Sequence, residues 1–428
     1  MKRKKTEPAR WILIGTGSRG LHMFGEPLAE GRYPLHRLVG LCDCNPLRAE
    51  AANKLLKTRL PTEVEAKRLI ARLRPDGAII ATRDIAHAEY IRVCLVAGLR
   101  VVSEKPLCVD ARQCRDILAT EKKYKSRGGR CLVTHNVRYA PAICALKNKL
   151  DSGVIGKPLF FRFREYLDRR HGADYFRRWH RHKENSGGLL IHKACHHFDA
   201  LNYLTDSVAE TLSARGRLLF YGRKGSFRGK RCRGCRHATR CAFYVDPFGQ
   251  SSAKRLFLDA EQADGYWRDA CVFDKEINIE DEASVSWRYR NGVSVQYDLA
   301  AFCSYEGWRI EVEGERGRLE LVEMKSTGFV PGAKLVHGAG SVVGERLTLF
   351  RMDKPGQNLP IPKAKGTHGG ADPRLLADFF GRPLHAPLTS RQAPLVQAVQ
   401  AVLIGHAANV SLARKGAPVN VQDFLKRG

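Results

Sequence analysis

The sequence predicts a doubly wound parallel α/β domain followed by an α+β domain built on a large, mostly antiparallel sheet. Two observations carry that prediction. Short apolar runs alternate with helical spacing over the first 134 residues. Two-residue alternation of apolar and polar positions then takes over, the period of strands that bury one face. The change of texture divides the chain into a first domain at 1–134 and a second at 135–428.

The first apolar run, Trp11-Ile12-Leu13-Ile14, stops at glycines, as a strand buried on both faces does. Further runs follow at 38–42, 77–81, 99–103 and 131–134, with helical spacing at 49–56 and 88–97. Repeated β-α-β units require right-handed crossovers and therefore a parallel sheet. In the second domain, strand-like alternation occupies 159–166, 283–289, 293–299 and 308–312. Arg290-Asn291-Gly292 predicts a hairpin there, because Asn-Gly accepts the positive φ of a type I′ turn. Residues 222–275 combine glycine, cysteine and clustered charge, and read as an insertion with little core of its own. Helical spacing at 395–412 predicts a helix that packs back on the first domain.

Composition narrows the function classes. The chain has 428 residues, 43% of them apolar, enough for a full core. No apolar stretch reaches the roughly 20 residues of a membrane span. Residues 1–5 form a basic tail, and the run from Trp11 is too short for a signal region. Thirteen cysteines without such a signal argue for reduced thiols in a cytoplasmic protein. Lys and Arg number 73 against 44 for Asp and Glu, a formal +29 that attracts anions. The cations are spread along the chain, densest near 223–240, so they read as a solvated surface rather than a nucleic-acid site.

The first strand runs into Gly15-Thr16-Gly17-Ser18-Arg19-Gly20, a G-x-G-x-x-G between strand and helix. The glycines permit a tight turn, close approach of a pyrophosphate and close helix packing, and the helix N-terminus offers free N–H groups. The second strand ends at Asp43, 23 residues after Gly20, where an acid can accept from an adenosine ribose. Strand, turn, helix and acid in this order predict a Rossmann dinucleotide site. Asp43 favours NAD by repelling a 2′-phosphate, while Arg48 and the basic charge leave NADP open.

The fourth strand ends in Ser103-Glu104-Lys105-Pro106, at the edge that faces the ligand crevice in such sheets. A lysine before proline, taken alone, is a solvated loop residue. Yet the glycine turn, the Thr82…His87 turn, Glu104-Lys105-Pro106 and His135-Asn136-Val137-Arg138-Tyr139 together resemble the glucose–fructose oxidoreductase / inositol dehydrogenase (Gfo/Idh/MocA) family. So does the segment from Gly187-Gly188 through His192, His196 and Asp199, which is similar to the family's G-G-x-x-x-D-x-G-x-H-x-x-D motif.

The resemblance implies an NAD(P)-dependent oxidoreductase acting on a carbohydrate-like small molecule. It puts the family's catalytic lysine on Lys105, to stabilise the developing alkoxide, and its histidine on His196, to take the hydroxyl proton, and adds Thr82, His87 and Glu104 to the cofactor set. His192 stands where many members have Asp. It lies four residues before His196, on one face of a single helix. Two imidazoles there suit acid–base work near neutral pH, but an imidazole replaces that acid only if another acid helps it. A metal held by the pair is the other reading. Arg138, Tyr175, Trp179, His180 and Asp199 are the candidate substrate contacts, since aromatic faces and charged donors suit a polyhydroxylated or anionic ligand.

Cys232-Arg233-Gly234-Cys235, with Cys241 and the distant Cys271, admits two readings, a structural zinc or free thiols. Three function classes remain open: a dehydrogenase, a glycoside hydrolase that oxidises its sugar transiently, and a non-catalytic dinucleotide- or nucleic-acid-binding protein. An open sheet in the second domain also suits a homodimer or tetramer.

Overall fold

The computed structural model describes residues 7–246, 251–325 and 342–426. The basic tail at 1–5 lies outside them. In chain order the strands are β1 (Ala9–Ile14), β2 (His36–Cys42), β3 (Thr62–Glu63), β4 (Gly77–Ile80), β5 (Arg100–Ser103), β6 (Arg130–Val133), β7 (Pro158–Asp168) and β8 (Ala209–Arg217). They continue as β9 (Glu282–Tyr289), β10 (Ser294–Cys303), β11 (Glu306–Gly314), β12 (Gly317–Lys325), β13 (Val342–Arg351), β14 (Lys354–Leu359), β15 (Ala393–Pro394) and β16 (Val419–Asn420).

The first sheet has the order β3-β2-β1-β4-β5-β6-β15, parallel except for β15. Ile12, Leu13, Ile14, Ala78, Ile79 and Ile80 are buried at its centre, as expected of strands covered on both faces. The chain reverses direction of travel between β1 and β4, which opens a crevice at their C-terminal ends. Helix Pro46–Leu56 begins behind Asn45, whose side chain accepts from the Arg48 N–H.

The second sheet has the order β14-β13-β12-β11-β7-β10-β9-β8-β16. Its neighbours run antiparallel except β7 and β10, which are parallel. Phe161, Phe163, Val285, Trp287, Tyr297 and Ile310 point into the core by the two-residue alternation. Phe198 of helix Cys195–Thr205 meets Trp287 and Tyr297 edge-on.

Three expectations need correction. The hairpin between β9 and β10 is not a type I′ turn. The Tyr289 N–H donates to the Val293 carbonyl at 2.8 Å and only Gly292 has positive φ, so the loop has three residues. Asn291 instead donates its side-chain amide to the Thr205 carbonyl. The insertion does have a core, in which Phe243, Val245, Leu256, Phe257, Val272 and Phe273 are buried. Its ends are tied by Asp281, whose carboxylate accepts from the N–H groups of Leu219, Phe220 and Tyr221. The last long helix, Leu395–Ala413, is long and apolar enough by length and composition to cross a membrane, against the expectation that no stretch is. It lies packed on β8 and helix Cys195–Thr205 and also reaches β6 and helix Ala111–Tyr124.

Candidate active site

A cavity of about 1060 Å³ occupies the crevice and continues under the second sheet. At its first end, Gly15 sits at φ +93°, and a Cβ there would stand 2.5 Å from the Ala81 carbonyl oxygen. A Cβ on Gly20 would stand 2.1 Å from the Gly15 oxygen. Gly17 differs, since nothing lies within 4 Å of where its Cβ would be, leaving room for a ligand to approach the backbone. Gly15, Gly17, Ser18 and Arg19 line the cavity. Thr16 does not: it is fully buried and gives both its N–H and its hydroxyl to Asp43, at 2.8 and 3.0 Å.

Asp43, at the end of β2, lines the cavity beside Cys44 and Arg83. Its other oxygen accepts from the Asn45 N–H and from Arg48. Arg48 is buried and already committed, donating to Asp43, to Asp264 at 2.6 Å and to the Leu256 carbonyl. Arg19 is committed too, donating to Glu104 at 2.8 Å and to Asp372 at 3.0 Å. Burial opposes ionisation of Asp372, yet His368 and the Arg19 guanidinium hold its carboxyl well below the usual range. Asp372 thus ties the glycine turn to the second domain. An open Gly17 backbone above and an acid at the end of β2 fit the two halves of a dinucleotide's adenosine diphosphate.

At the middle of the cavity the loop after β5 presents Lys105. Its N–H donates to Glu104 and its ammonium donates to the His192 carbonyl at 3.1 Å. His87 lies between the carbonyls of Pro106 and Thr82, 2.7 and 3.3 Å from its two ring nitrogens, and as a neutral ring it donates to the nearer, Pro106. Burial pushes its pKa down.

His192 and His196 both line the cavity, but they are not on one continuous helix. His192 closes the short helix Leu189–His192, and His196 lies in the first turn of Cys195–Thr205. His192 Nδ1 is 2.6 Å from Asp84 Oδ2, at the start of helix Asp84–Val96. His180 lies 4.2 Å from His192, ring to ring, with Tyr175 and Trp179 around them. Burial first, then the Lys105 ammonium, pushes the pKa of His192 and of His196 well below that of a free imidazole. Burial and the nearby Arg178 do the same to His180.

Of the expected substrate contacts, Tyr175, Trp179 and His180 line the cavity; Arg138 and Asp199 do not. Arg138 donates twice to Asp199, both at 2.6 Å, and once to Gln397. Both are nearly fully buried. They form an internal ion pair behind the helix that carries His196. Several lining residues escaped the sequence reading. Asp84 follows the Thr82 turn, where a carboxylate at a strand's C-terminal edge was a usable signal. Lys193, paired with Glu165 at 3.0 Å, stands between the two motif histidines. Phe257, Tyr266 and Arg268 come from the insertion, and nothing in their spacing announces them.

The zinc expectation is not met. Cys232, Cys235, Cys241 and Cys271 line one small pocket, but they share it with Phe227, Phe243, Tyr244 and Val272. Among the described residues no group of three or more His, Cys, Asp and Glu side chains is arranged to hold a metal ion, which also removes the metal reading of His192 and His196. None of the thirteen cysteines is in a disulfide.

Residues 9–133 match the oxidoreductase family's NAD-binding Rossmann fold, and residues 147–421 match its C-terminal alpha/beta domain. The chain belongs to the Gfo/Idh/MocA oxidoreductase family. It is a dehydrogenase of the class acting on CH–OH groups, as the resemblance implied. The oxidoreductase YteT of Bacillus subtilis (strain 168) is 30% identical over 386 residues, covering 86% of this chain and 88% of YteT. The inositol 2-dehydrogenase/D-chiro-inositol 3-dehydrogenase of Lactiplantibacillus plantarum is 30% identical over 182 residues, 40% of this chain and 48% of that enzyme. Among solved structures, a levoglucosan dehydrogenase complexed with NADH superposes with a TM-score of 0.68 at 18% identity, over 97% of this chain and 99% of that one. The fold is therefore that of the family throughout.

Proposed function

We propose that this family member oxidises a secondary alcohol of a sugar, polyol or related carbohydrate, with NAD as the acceptor. One observation carries the reading: Lys105 from the first domain and His192 and His196 from the second line a single cavity that continues to the Gly15–Gly20 turn. NAD, when bound, supplies the two-electron acceptor. Gly15 and Gly17 would receive its pyrophosphate, and Asp43 its adenosine ribose. NAD is preferred to NADP because Asp43 is acidic and Arg48 is spent on buried partners.

The chain's own groups then handle the alcohol. The Lys105 ammonium stabilises the negative charge that develops on the substrate oxygen. An imidazole of the second domain takes the hydroxyl proton, and burial keeps both candidates neutral and ready to accept. Tyr175, Trp179 and His180 offer a wall of aromatic faces with polar edges, which suits a carbohydrate ring. Relatives that are inositol dehydrogenases support the substrate class.

Purified protein mixed with NAD and a panel of inositols, polyols and aldoses tests this. NADH should accumulate in proportion to one substrate. Release of a product sugar from a glycoside without net NADH would overturn the reading in favour of redox-assisted cleavage. The free thiols suit a cytoplasmic location, and a homodimer or tetramer through the second sheet completes the proposal, to be checked by light scattering.

A further inference from the structure

The two motif histidines are not equivalent. His196 Nδ1 is buried and has no hydrogen-bond partner among the described residues. His192 Nδ1 lies 2.6 Å from Asp84, a carboxylate only 2% exposed. Asp84 belongs to the first domain and stands 108 residues away in the chain. A carboxylate on Nδ1 does two things for an imidazole. It fixes the tautomer with the proton on Nδ1, leaving the Nε2 lone pair free, and it stabilises the imidazolium once Nε2 accepts a proton. His196 has neither service.

We propose that His192, oriented by Asp84, is the general base that takes the substrate's hydroxyl proton, and that Asp84 is a positioning residue acting through it. The inference rests on the oxidoreductase reading above. In the oxidation the substrate O–H bond breaks and its proton goes to His192 Nε2, and a bound NAD would supply the acceptor for the C–H electron pair. The carbonyl forms from the electron pair released by the O–H bond. Asp84 keeps the Nδ1 proton in place throughout and faces the new positive charge. The missing acid of the family motif is thereby replaced across the domain boundary.

The groups around the pair set its sign. Lys105 is the cation nearest in effect, with its ammonium on the His192 carbonyl, and Lys193, His180 and His87 add to it. Burial pushes the Asp84 carboxyl well above the usual carboxylate range, with Lys105 pulling against it and Glu104 adding to it, while the 2.6 Å contact with His192 Nδ1 favours the ionised form. We take the pair as carboxylate and neutral imidazole, because the ammonium beside it balances the carboxylate. Tyr175 and Trp179 close the remaining sides with their rings.

The test compares Asp84→Asn, His192→Gln and His196→Gln, singly and in pairs, on the substrate found above. Asp84→Asn is expected to lower kcat by about 10²–10⁴-fold with little change in KM or in NAD binding. Its acid limb should move to lower pH, since the imidazolium loses its carboxylate. Asp84→Asn and His192→Gln together should cost no more than the worse single change, whereas Asp84→Asn and His196→Gln should multiply. Full kcat in Asp84→Asn, or multiplying effects in the Asp84/His192 pair, would overturn the proposal. A second measurement needs no variant that folds poorly and no turnover. The wild-type protein should give a far-downfield proton resonance from the Nδ1–H, kept in His196→Gln and lost in His192→Gln. Its absence from the wild type would also overturn the pairing. Absence of turnover on every alcohol, with that resonance present, would sink the oxidoreductase reading of the site and leave the pair standing.

Discussion

The two ends of the cavity are built on different principles. The proposed nucleotide end is made of backbone: Gly15, Gly17 and their turn, plus one acid, Asp43, all within 29 residues of sequence. The proposed reaction end is made of side chains from segments far apart, with Asp84, Lys105, Tyr175, His180, His192 and His196 converging from two domains. Steric necessity at the first end leaves a local signature, because a Cβ at Gly15 or Gly20 collides with main chain. At the second end each residue type is ordinary alone, and only the pairing gives it a role. Changes at the first end should therefore act on cofactor binding and changes at the second on turnover, while residues behind the wall should act on stability alone.

The largest effect belongs to that last class. Arg138→Met leaves buried Asp199 without its hydrogen-bonded cation, with only His135 Nε2 at 3.8 Å beside it, which costs about 3–5 kcal/mol of stability. Denaturant titration should register it, and KM of the surviving folded protein should stay unchanged. A raised KM would return Arg138 to the substrate wall. Lys105→Met should lower kcat by about 10²–10³-fold, and it should move the acid limb of the pH profile upward, because the ammonium is what, after burial, depresses His192 and His196. A downward shift would break the electrostatic account.

Buried His135 supplies a pH test of stability. Burial pushes its pKa down to about 4, below the roughly 6.5 of the unfolded chain. The unfolded state therefore binds the proton first, so stability is complete above about pH 6.5 and falls as the pH drops toward 4. His135→Gln should flatten that loss in a melting-temperature series. A smaller effect closes the set: Gly17→Val should weaken NAD binding about tenfold or more without lowering the melting temperature, since its Cβ meets only open space. A fall in melting temperature would make Gly17 structural, like Gly20.

Legibility in the sequence followed the same division. The five central strands of the first sheet stood out because both faces are buried and their runs are continuous. β3 and β15, of two residues each, are too short to carry a period, and β15 contains a proline. β14 was missed because an exposed edge strand, Lys354–Leu359, has no apolar face to alternate. Motif spacing singled out Lys105, His192 and His196, which the structure brings to one cavity. Asp84 was not tied to His192, because no spacing rule links residues on two domains. Arg138 and Asp199 were misplaced for a related reason, since position near a domain boundary does not say which way a side chain turns. The four cysteines do meet at one small pocket, as their spacing suggested, but the arrangement of their thiols around it is a three-dimensional property that spacing alone does not supply.

The Asp281 clamp has a consequence for how such a chain can change. Arg217 and Glu282 are paired neighbours on adjacent strands, and the Asp281 N–H donates to the Arg217 carbonyl at 3.0 Å. The segment between them therefore leaves and rejoins the sheet at a single point. Lengthening, trimming or exchanging it would leave the β8–β9 ladder in register. That segment supplies Phe257, Tyr266 and Arg268 to the chamber, so any exchange that kept Asp264 and the Leu256 carbonyl as acceptors for buried Arg48 would renew one wall on an otherwise fixed frame.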